Sequence, residues 1–316
     1  MKKRFGYKNA YNGRLFLLCW IAYFSTYICR LNFSAVMPEL LGSGAFTQSE
    51  TAAVSSAFFI CYGAGQLFSG VLCDKISARL LIFAGVLFSG LSNLFIFLFS
   101  ESYTALLVLW ALNGIAQSLV WAPILKLAGD YYNEGEKVKF GVDISTTVPL
   151  GTLASYGVSL VTLLFAEWRY VFAVCGALVI IAAAYWFIGT SGLKKIPKAE
   201  NRMDEAIQTA PTAVSGKKLV KILLISGTAA LMIPIAIQGT LKDSVTQWIP
   251  TFLEGNYNMG TSLSLLLTMV LPVINVTGAY LAKALNKKLK NELATSAAFF
   301  GIAAAFLILL MTAGTK

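Results

Sequence analysis

The chain is divided into apolar runs of about twenty residues or more, separated by short polar turns. A run of about 20 apolar residues is the length of helix that crosses the hydrocarbon core of a bilayer. Few sequence features constrain a fold as hard. Backbone in lipid must satisfy its own hydrogen bonds, and a helix does so within one segment. Nine such runs are legible, over 15–38, 51–72, 80–99, 104–129, 140–165, 169–189, 222–251, 261–283 and 293–313. The composition agrees: 57% of residues are hydrophobic and 13% charged, against about 25% charged in soluble domains. The expected fold class is an all-α integral membrane protein. The first run follows a basic start (Lys2, Lys3, Arg4, Lys8, Arg14) but is far too long for a signal-peptide core.

The net charge of +10 does not point to nucleic acid, because of where the charges fall. Numbering the turns alternately from a cytoplasmic N-terminus puts all but four of the 25 Lys and Arg residues on the cytoplasmic side. Arg169 and Lys316 lie on the other side, and Arg30 and Lys242 lie within runs. This is the positive-inside pattern, and it predicts a multi-pass protein of the cell (plasma or inner) membrane with its N-terminus in the cytoplasm. Cys19, Cys29, Cys61, Cys73 and Cys175 have no metal-ligand spacing and read as small packing residues. Histidine is absent, so no imidazole relay or ligand exists. No catalytic triad, nucleotide-binding glycine loop or zinc spacing occurs. The expectation is a non-enzymatic protein without metal or cofactor, working as a monomer in the lipid bilayer.

Arg30 stands in the middle of the first run. An ionised side chain there costs at least about 2.5–3.5 kcal/mol on insertion scales, and survives where it faces a bundle interior or a wet cavity. Its planar donor fork matches phosphate and carboxylate. The seventh run carries Lys242 in a related setting. Arg30 precedes Pro38 by eight residues, and Lys242 precedes Pro250 by eight. Glycines follow at comparable distances, Gly70 and Gly278. Parallel repeats of six helices are a transporter architecture with the substrate near the midplane. The expected organisation is therefore a six-helix domain over 1–190, a polar cytoplasmic linker over 191–221, and a partial second domain over 222–316. By that count nine helices of an expected twelve are present, and the chain is expected to be a fragment.

After the second run the chain reads Gly70-Val-Leu-Cys-Asp74-Lys75-Ile-Ser-Ala-Arg79. This resembles the loop motif of the major facilitator superfamily. Three further stretches resemble one branch of it, the organophosphate:phosphate antiporters, which include the bacterial glycerol-3-phosphate and hexose-phosphate transporters. They are Tyr23, Tyr27, Arg30, Asn32, Phe33, Met37 and Pro38 in the first run; Asn113, Gly114, Gln117, Trp121 and Pro123 in the fourth; and Leu241, Lys242, Trp248, Pro250, Thr251 and Leu253 in the seventh. They occur in order between about residues 15 and 290. The resemblance implies a major facilitator-type bundle and exchange of an organophosphate for inorganic phosphate, with basic residues of the first and seventh helices on the phosphate. It also implies that Gly70, Asp74, Lys75 and Arg79 act in gating. The chain departs from the pattern. The family's seventh-helix arginine is Lys242, a point charge without a fork. The basic residue that often follows the first-helix arginine is Leu31, a second-helix lysine is Gln66, and a fifth-helix histidine falls near Thr147.

Tyr23, Tyr27 and Arg30 lie at i, i+4 and i+7, on one helical face. Their hydroxyls and guanidinium are candidates to share a phosphate or sugar. Gln117 and Trp121 repeat the spacing and offer hydrogen bonding or stacking, with interhelical packing as the competing role. Tyr62 is a weaker candidate of the same kind. Asp143, with Thr147, Gly151 and Ser155, forms a polar stripe in the fifth run and is expected to be an interfacial carboxylate. The substrate-binding set is thus Arg30, Lys242, Tyr23, Tyr27, Tyr62, Gln117 and Trp121. The expected ligands are a small organophosphate anion and inorganic phosphate. Two alternatives stay open: a sugar-phosphate-sensing receptor of the same fold, and a proton-coupled carboxylate or sugar-acid transporter.

Overall fold

Polar residues in the turns set where the helices begin. Thr47 accepts the Glu50 amide while the Glu50 carboxylate accepts the Thr47 N–H, a reciprocal cap that opens α2 (Gln48–Lys75). Ser77 opens α3 (Ala78–Leu98), Ser102 opens α4 (Tyr103–Tyr131) and Asn133 opens α5 (Glu134–Ser145). Each accepts an amide three residues on. The computed structural model describes Tyr7 and residues 10–191 and 228–313. Ahead of α2 lies α1 (Ala10–Gly42). After α5 come α6 (Thr147–Phe165), α7 (Trp168–Ser191), α8 (Thr228–Tyr257), α9 (Gly260–Thr268), α10 (Val270–Leu289) and α11 (Glu292–Ala313). The predicted linker lies outside the described residues except for Ser191, as do Lys2, Lys3, Arg4 and Lys8.

Among the described residues, six helical segments are long and apolar enough to cross a membrane: α1, α2, α3, α4, the α5–α6 run and α7. They match the first six predicted runs. The seventh run corresponds to α8, whose polar Gln238–Ser244 stretch lowers its hydropathy. The ninth corresponds to α11. Two runs expected as single helices are each divided into two helices. The fifth breaks at Thr146 and the eighth at Met269. In both, a proline is the third residue of the following helix, Pro149 in α6 and Pro272 in α10. Proline has no N–H to give the preceding turn, so it is accommodated in a helix's first turn and not in its interior.

Residues Met1–Met269 form one compact unit and Val270–Lys316 another. In the first, α1 is the most enclosed of the spanning helices and touches α3, α4, α6, α7 and α8. Around it α2 packs on α4, α4 on α3, and α3 on α7. Phe33, Met37, Phe58, Trp110 and Phe172 fill the centre. Lipid offers little hydrophobic drive between helices, so small residues that let backbones approach matter more. At Gly114 an added Cβ would sit 2.5 Å from the Phe58 carbonyl oxygen, so α2 and α4 meet only because the residue is glycine. In the second unit α10 and α11 pack against each other.

Candidate functional site

The site is built on a break in α1. Cys29 leaves helical geometry at φ −91°, ψ 16°. The Phe33 amide, one turn on, donates to the Asn32 side-chain oxygen at 3.0 Å. The Cys29 carbonyl receives two side-chain donors from α4: Asn113 Nδ2 at 2.7 Å and Gln117 Nε2 at 3.1 Å. The network continues into α3. Ser89 Oγ donates to Asn113 Oδ1 at 2.6 Å, Asn32 Nδ2 to Asn93 Oδ1 at 2.7 Å, and Asn93 Nδ2 to the Ser89 carbonyl at 2.9 Å. From α6, Ser155 Oγ donates to the Ile28 carbonyl at 3.0 Å. These side chains satisfy polar groups that a membrane interior cannot hydrate.

Arg30 follows the break directly and is half-buried. Its Nε donates to Gln117 Oε1 at 3.0 Å. Aromatic rings surround the guanidinium: Tyr62 at 4.4 Å, Tyr27 at 5.0 Å and Phe58 at 5.7 Å from ring centroid to Cζ. Cation–π contacts of this kind are worth about 0.5–2 kcal/mol each, more when desolvated. The aromatic row extends along α1, with Tyr23 against Tyr27 at 5.6 Å and against Trp121 at 4.7 Å. Tyr23, Tyr62 and Trp121 are half-buried, whereas Tyr27 and Gln117 are buried. Six of the seven expected binding residues therefore form one connected cluster on α1, α2 and α4.

Lys242 lies on α8 and is exposed. It touches none of the six, but the packing of α8 on α1 fixes its register. Pro250 lacks an N–H, which leaves the Thr246 carbonyl without its helical donor. Tyr156 OH of α6 takes that carbonyl at 2.7 Å. Ser34 Oγ donates to the neighbouring Gln247 carbonyl at 2.6 Å. Ser34 is four residues beyond Arg30 and four before Pro38, and Thr246 is four beyond Lys242 and four before Pro250. Ser34 Oγ also lies 3.4 Å from the Thr246 carbonyl, so equivalent positions of the repeat meet, one turn along from the two cations. Tyr156, Ser34, Ser89 and Asn93 were not singled out from the sequence. For Tyr156 a signal existed, since a proline within a helix announces a carbonyl in need of a donor.

The four ion pairs among the described residues lie away from this cluster. They are Lys126–Asp74 at 3.2 Å, Lys137–Glu134 at 2.7 Å, Lys139–Asp143 at 2.6 Å and Arg169–Glu167 at 2.9 Å. Neither Arg30 nor Lys242 has a carboxylate partner among them. In the expected gating motif Asp74 pairs with Lys126 of α4, whose ammonium also donates to the Cys73 carbonyl. Asp74, Lys75, Arg79 and Lys126 line a cavity of about 490 Å³ that includes Asp130 and Tyr131. Gly70 has open space about it. Asp143 is the paired carboxylate noted above and also accepts from Tyr7 OH at 3.2 Å. Burial, and then the nearby Asp143 charge, push the Tyr7 hydroxyl pKa up.

Comparison with known proteins follows the same lines. The chain is 26% identical over 199 residues to a probable hexose phosphate transport protein of Chlamydia muridarum, covering 63% of this chain and 42% of the relative. It is 32% identical over 123 residues to the membrane sensor protein UhpC of Salmonella typhimurium, covering 39% of this chain and 28% of the relative. It therefore spans less than half the length of the curated relatives it matches. An inward-facing, unoccupied bacterial homolog of the human lysosomal transporter Spinster superposes with a TM-score of 0.72. The identity is 16%, covering 89% of this chain and 64% of that one, a likeness of fold. A model of the Major Facilitator Superfamily matches residues 19–316. With a helical bundle on a facilitator-type plan and a match over almost its whole length, the chain belongs to the Major Facilitator Superfamily.

Proposed function

We propose that this chain serves a secondary transporter that exchanges an organophosphate anion, of the sugar phosphate or glycerol phosphate kind, for inorganic phosphate by alternating access. One observation carries the proposal. Arg30 and Lys242 occupy matching positions of an internal repeat, in helices that pack together, and neither has a carboxylate partner among the described residues. Charges in a membrane interior are retained when a ligand or pathway requires them. Likeness to a probable hexose phosphate transport protein supports phosphate on an organic carrier as the anion.

In this mechanism the anion binds between Arg30 and Lys242. Its charge offsets their repulsion and lets the helices bearing them close together. An empty site leaves two like charges facing each other, which raises the barrier to reorientation and favours exchange over one-way flux. Tyr23, Tyr27, Tyr62 and Trp121 line the organic part, and Gly70, Asp74, Lys75 and Arg79 belong to the cytoplasmic gate. The proposal includes the six-helix domain over 1–190, the linker over 191–221 and a partial second domain from 222. It also includes a monomer in the cell membrane with its N-terminus in the cytoplasm, as the basic turns indicate.

Counterflow in liposomes tests it, using the chain within its intact gene product. Labelled phosphate should exchange with external phosphate or a sugar phosphate, and Arg30→Ala and Lys242→Ala should each abolish exchange. Exchange at the unsubstituted rate in both variants refutes the assignment. Saturable binding without flux would show a sensor instead, and uptake driven by a pH gradient but indifferent to phosphate would show a proton-coupled carboxylate carrier.

A further inference from the structure

The two amides of α4 both hold the Cys29 carbonyl, just ahead of Arg30, and one of them also holds the Arg30 head group. We propose that Asn113 and Gln117 are positioning residues of the anion site. They hold α1 open at Cys29 and fix which edge of the Arg30 guanidinium meets the ligand. The inference rests on the anion-binding reading above.

Neither amide is placed to touch a ligand. Asn113 is 0% and Gln117 2% exposed. Both donate to the carbonyl of Cys29, the residue before Arg30, so they set the backbone from which Arg30 projects. The Gln117 amide nitrogen lies among acceptors only: Cys29 O at 3.1 Å, Ser89 Oγ at 3.2 Å and Asn113 Oδ1 at 3.2 Å. That fixes its orientation, so Oε1 is the atom turned to Arg30, where it accepts from Nε. With Nε held and rings over the guanidinium at 4.4 and 5.0 Å, rotation of the head group is hindered. The Nη1–Nη2 edge is then the one presented. Two parallel N–H donors on that edge match two oxygens of a phosphate or carboxylate. A spherical anion such as chloride offers one acceptor centre in place of two oxygens, so it cannot match both parallel donors linearly. Gln117 thereby contributes to selection of a phosphoryl group without touching it.

The test is binding of inorganic phosphate to the chain within its intact gene product in lipid nanodiscs, with chloride as comparison. Gln117→Leu should weaken phosphate binding at least tenfold and narrow the preference over chloride. Arg30→Gln should remove most of the binding. The double variant should bind no more weakly than Arg30→Gln alone, because Gln117 acts through Arg30. Additive losses would mean that Gln117 contacts the anion itself and would overturn the assignment, as would unchanged affinity in Gln117→Leu. Gln117→Glu is the second arm, and serves if the leucine variant does not fold. It sets a carboxylate against Nε, so phosphate affinity should fall and recover, relative to the unsubstituted chain, as pH is lowered. A constant ratio across pH refutes a role through the Arg30 charge. If the unsubstituted chain shows no Arg30-dependent phosphate binding, the proposed function itself fails, a result separate from a failure of Gln117 alone.

Discussion

Tyr156→Phe removes one oxygen from the junction of α1, α6 and α8, and the structure fixes what is lost. The hydroxyl donates to Thr246 O at 2.7 Å, and Pro250 denies that carbonyl its helical donor. Interhelical hydrogen bonds in a membrane protein average about 0.6 kcal/mol in double-mutant cycles, with a maximum near 1.7. The upper part of the range is expected, because the half-buried Thr246 carbonyl keeps only the Ser34 hydroxyl, at 3.4 Å, as a side-chain donor, and an acceptor left unsatisfied costs about 1–3 kcal/mol. A loss of about 1.5 kcal/mol is expected. With an unfolding entropy of about 2.1 cal/mol/K per residue over 316 residues, this corresponds to a fall in Tm of about 2 °C. Unfolding in detergent can be followed with a thiol-reactive dye, since Cys19, Cys29, Cys73 and Cys175 are free and buried. Ser34→Ala should cost less, about 0.6 kcal/mol, because the Gln247 carbonyl has the Thr251 amide as an alternative donor. The decisive comparison is Tyr156→Phe in a Pro250→Ala background. Alanine restores an N–H at position 250, which can take the Thr246 carbonyl, so the tyrosine effect should shrink below about 0.5 kcal/mol. The reasoning fails if Tyr156→Phe costs the same in both backgrounds, or less than about 0.5 kcal/mol in the native one.

Gly114→Ala should destabilise by about 1–3 kcal/mol, since its Cβ would lie 2.5 Å from a backbone oxygen of α2, whereas Gly63→Ala, with nothing within 4 Å, should stay within about 0.5 kcal/mol; thermal melting of the pair checks this. Lys126→Met should change stability by less than about 1 kcal/mol, because its partner Asp74 is 80% exposed and water screens the pair; a larger shift in the same melt would contradict that. Tyr7 holds its proton more tightly folded than unfolded, so its stabilisation is complete below its ordinary pKa of 10.0 and is lost as pH rises from there through the raised folded value. Tyr7→Phe should lack that alkaline loss, which a chemical denaturation series from pH 8 to 11 would show.

The parts legible in sequence were those that depend on near neighbours along the chain. Apolar run length announced the first six spanning segments, and helical spacing put Tyr23 and Tyr27 on the Arg30 face, where the rings and guanidinium meet. The eight-residue offset to proline tied Lys242 to Arg30, and the α1–α8 contact carries that same register. The breaks at Thr146 and Met269 were legible in principle from Pro149 and Pro272, but hydropathy averages over a proline in an apolar run and so merges the two helices.

The break at Cys29 is of another kind. Nothing in the local sequence calls for it, since neither proline nor glycine stands within a turn of Cys29. What accompanies it is a choice among partners. The Phe33 amide bonds the Asn32 side chain, and α4 brings two amides to the Cys29 carbonyl. Those partners lie far off in sequence: Asn93 is 61 residues from Asn32, and Gln117 is 87 from Arg30. A polar residue in an apolar run shows only that it needs a partner, because leaving it unpaired in hydrocarbon costs several kcal/mol. It does not say which partner. Asn93, Asn113 and Gln117 look alike as polar residues in apolar runs until helix packing is known, and Gln117 then proves to have two sets of partners. It ties α4 to α1 and α3, and through the same amide it holds the one guanidinium in the site. Helix packing and the placing of Arg30 are therefore not competing roles at this position, since the bonds that join the helices are those that hold the guanidinium.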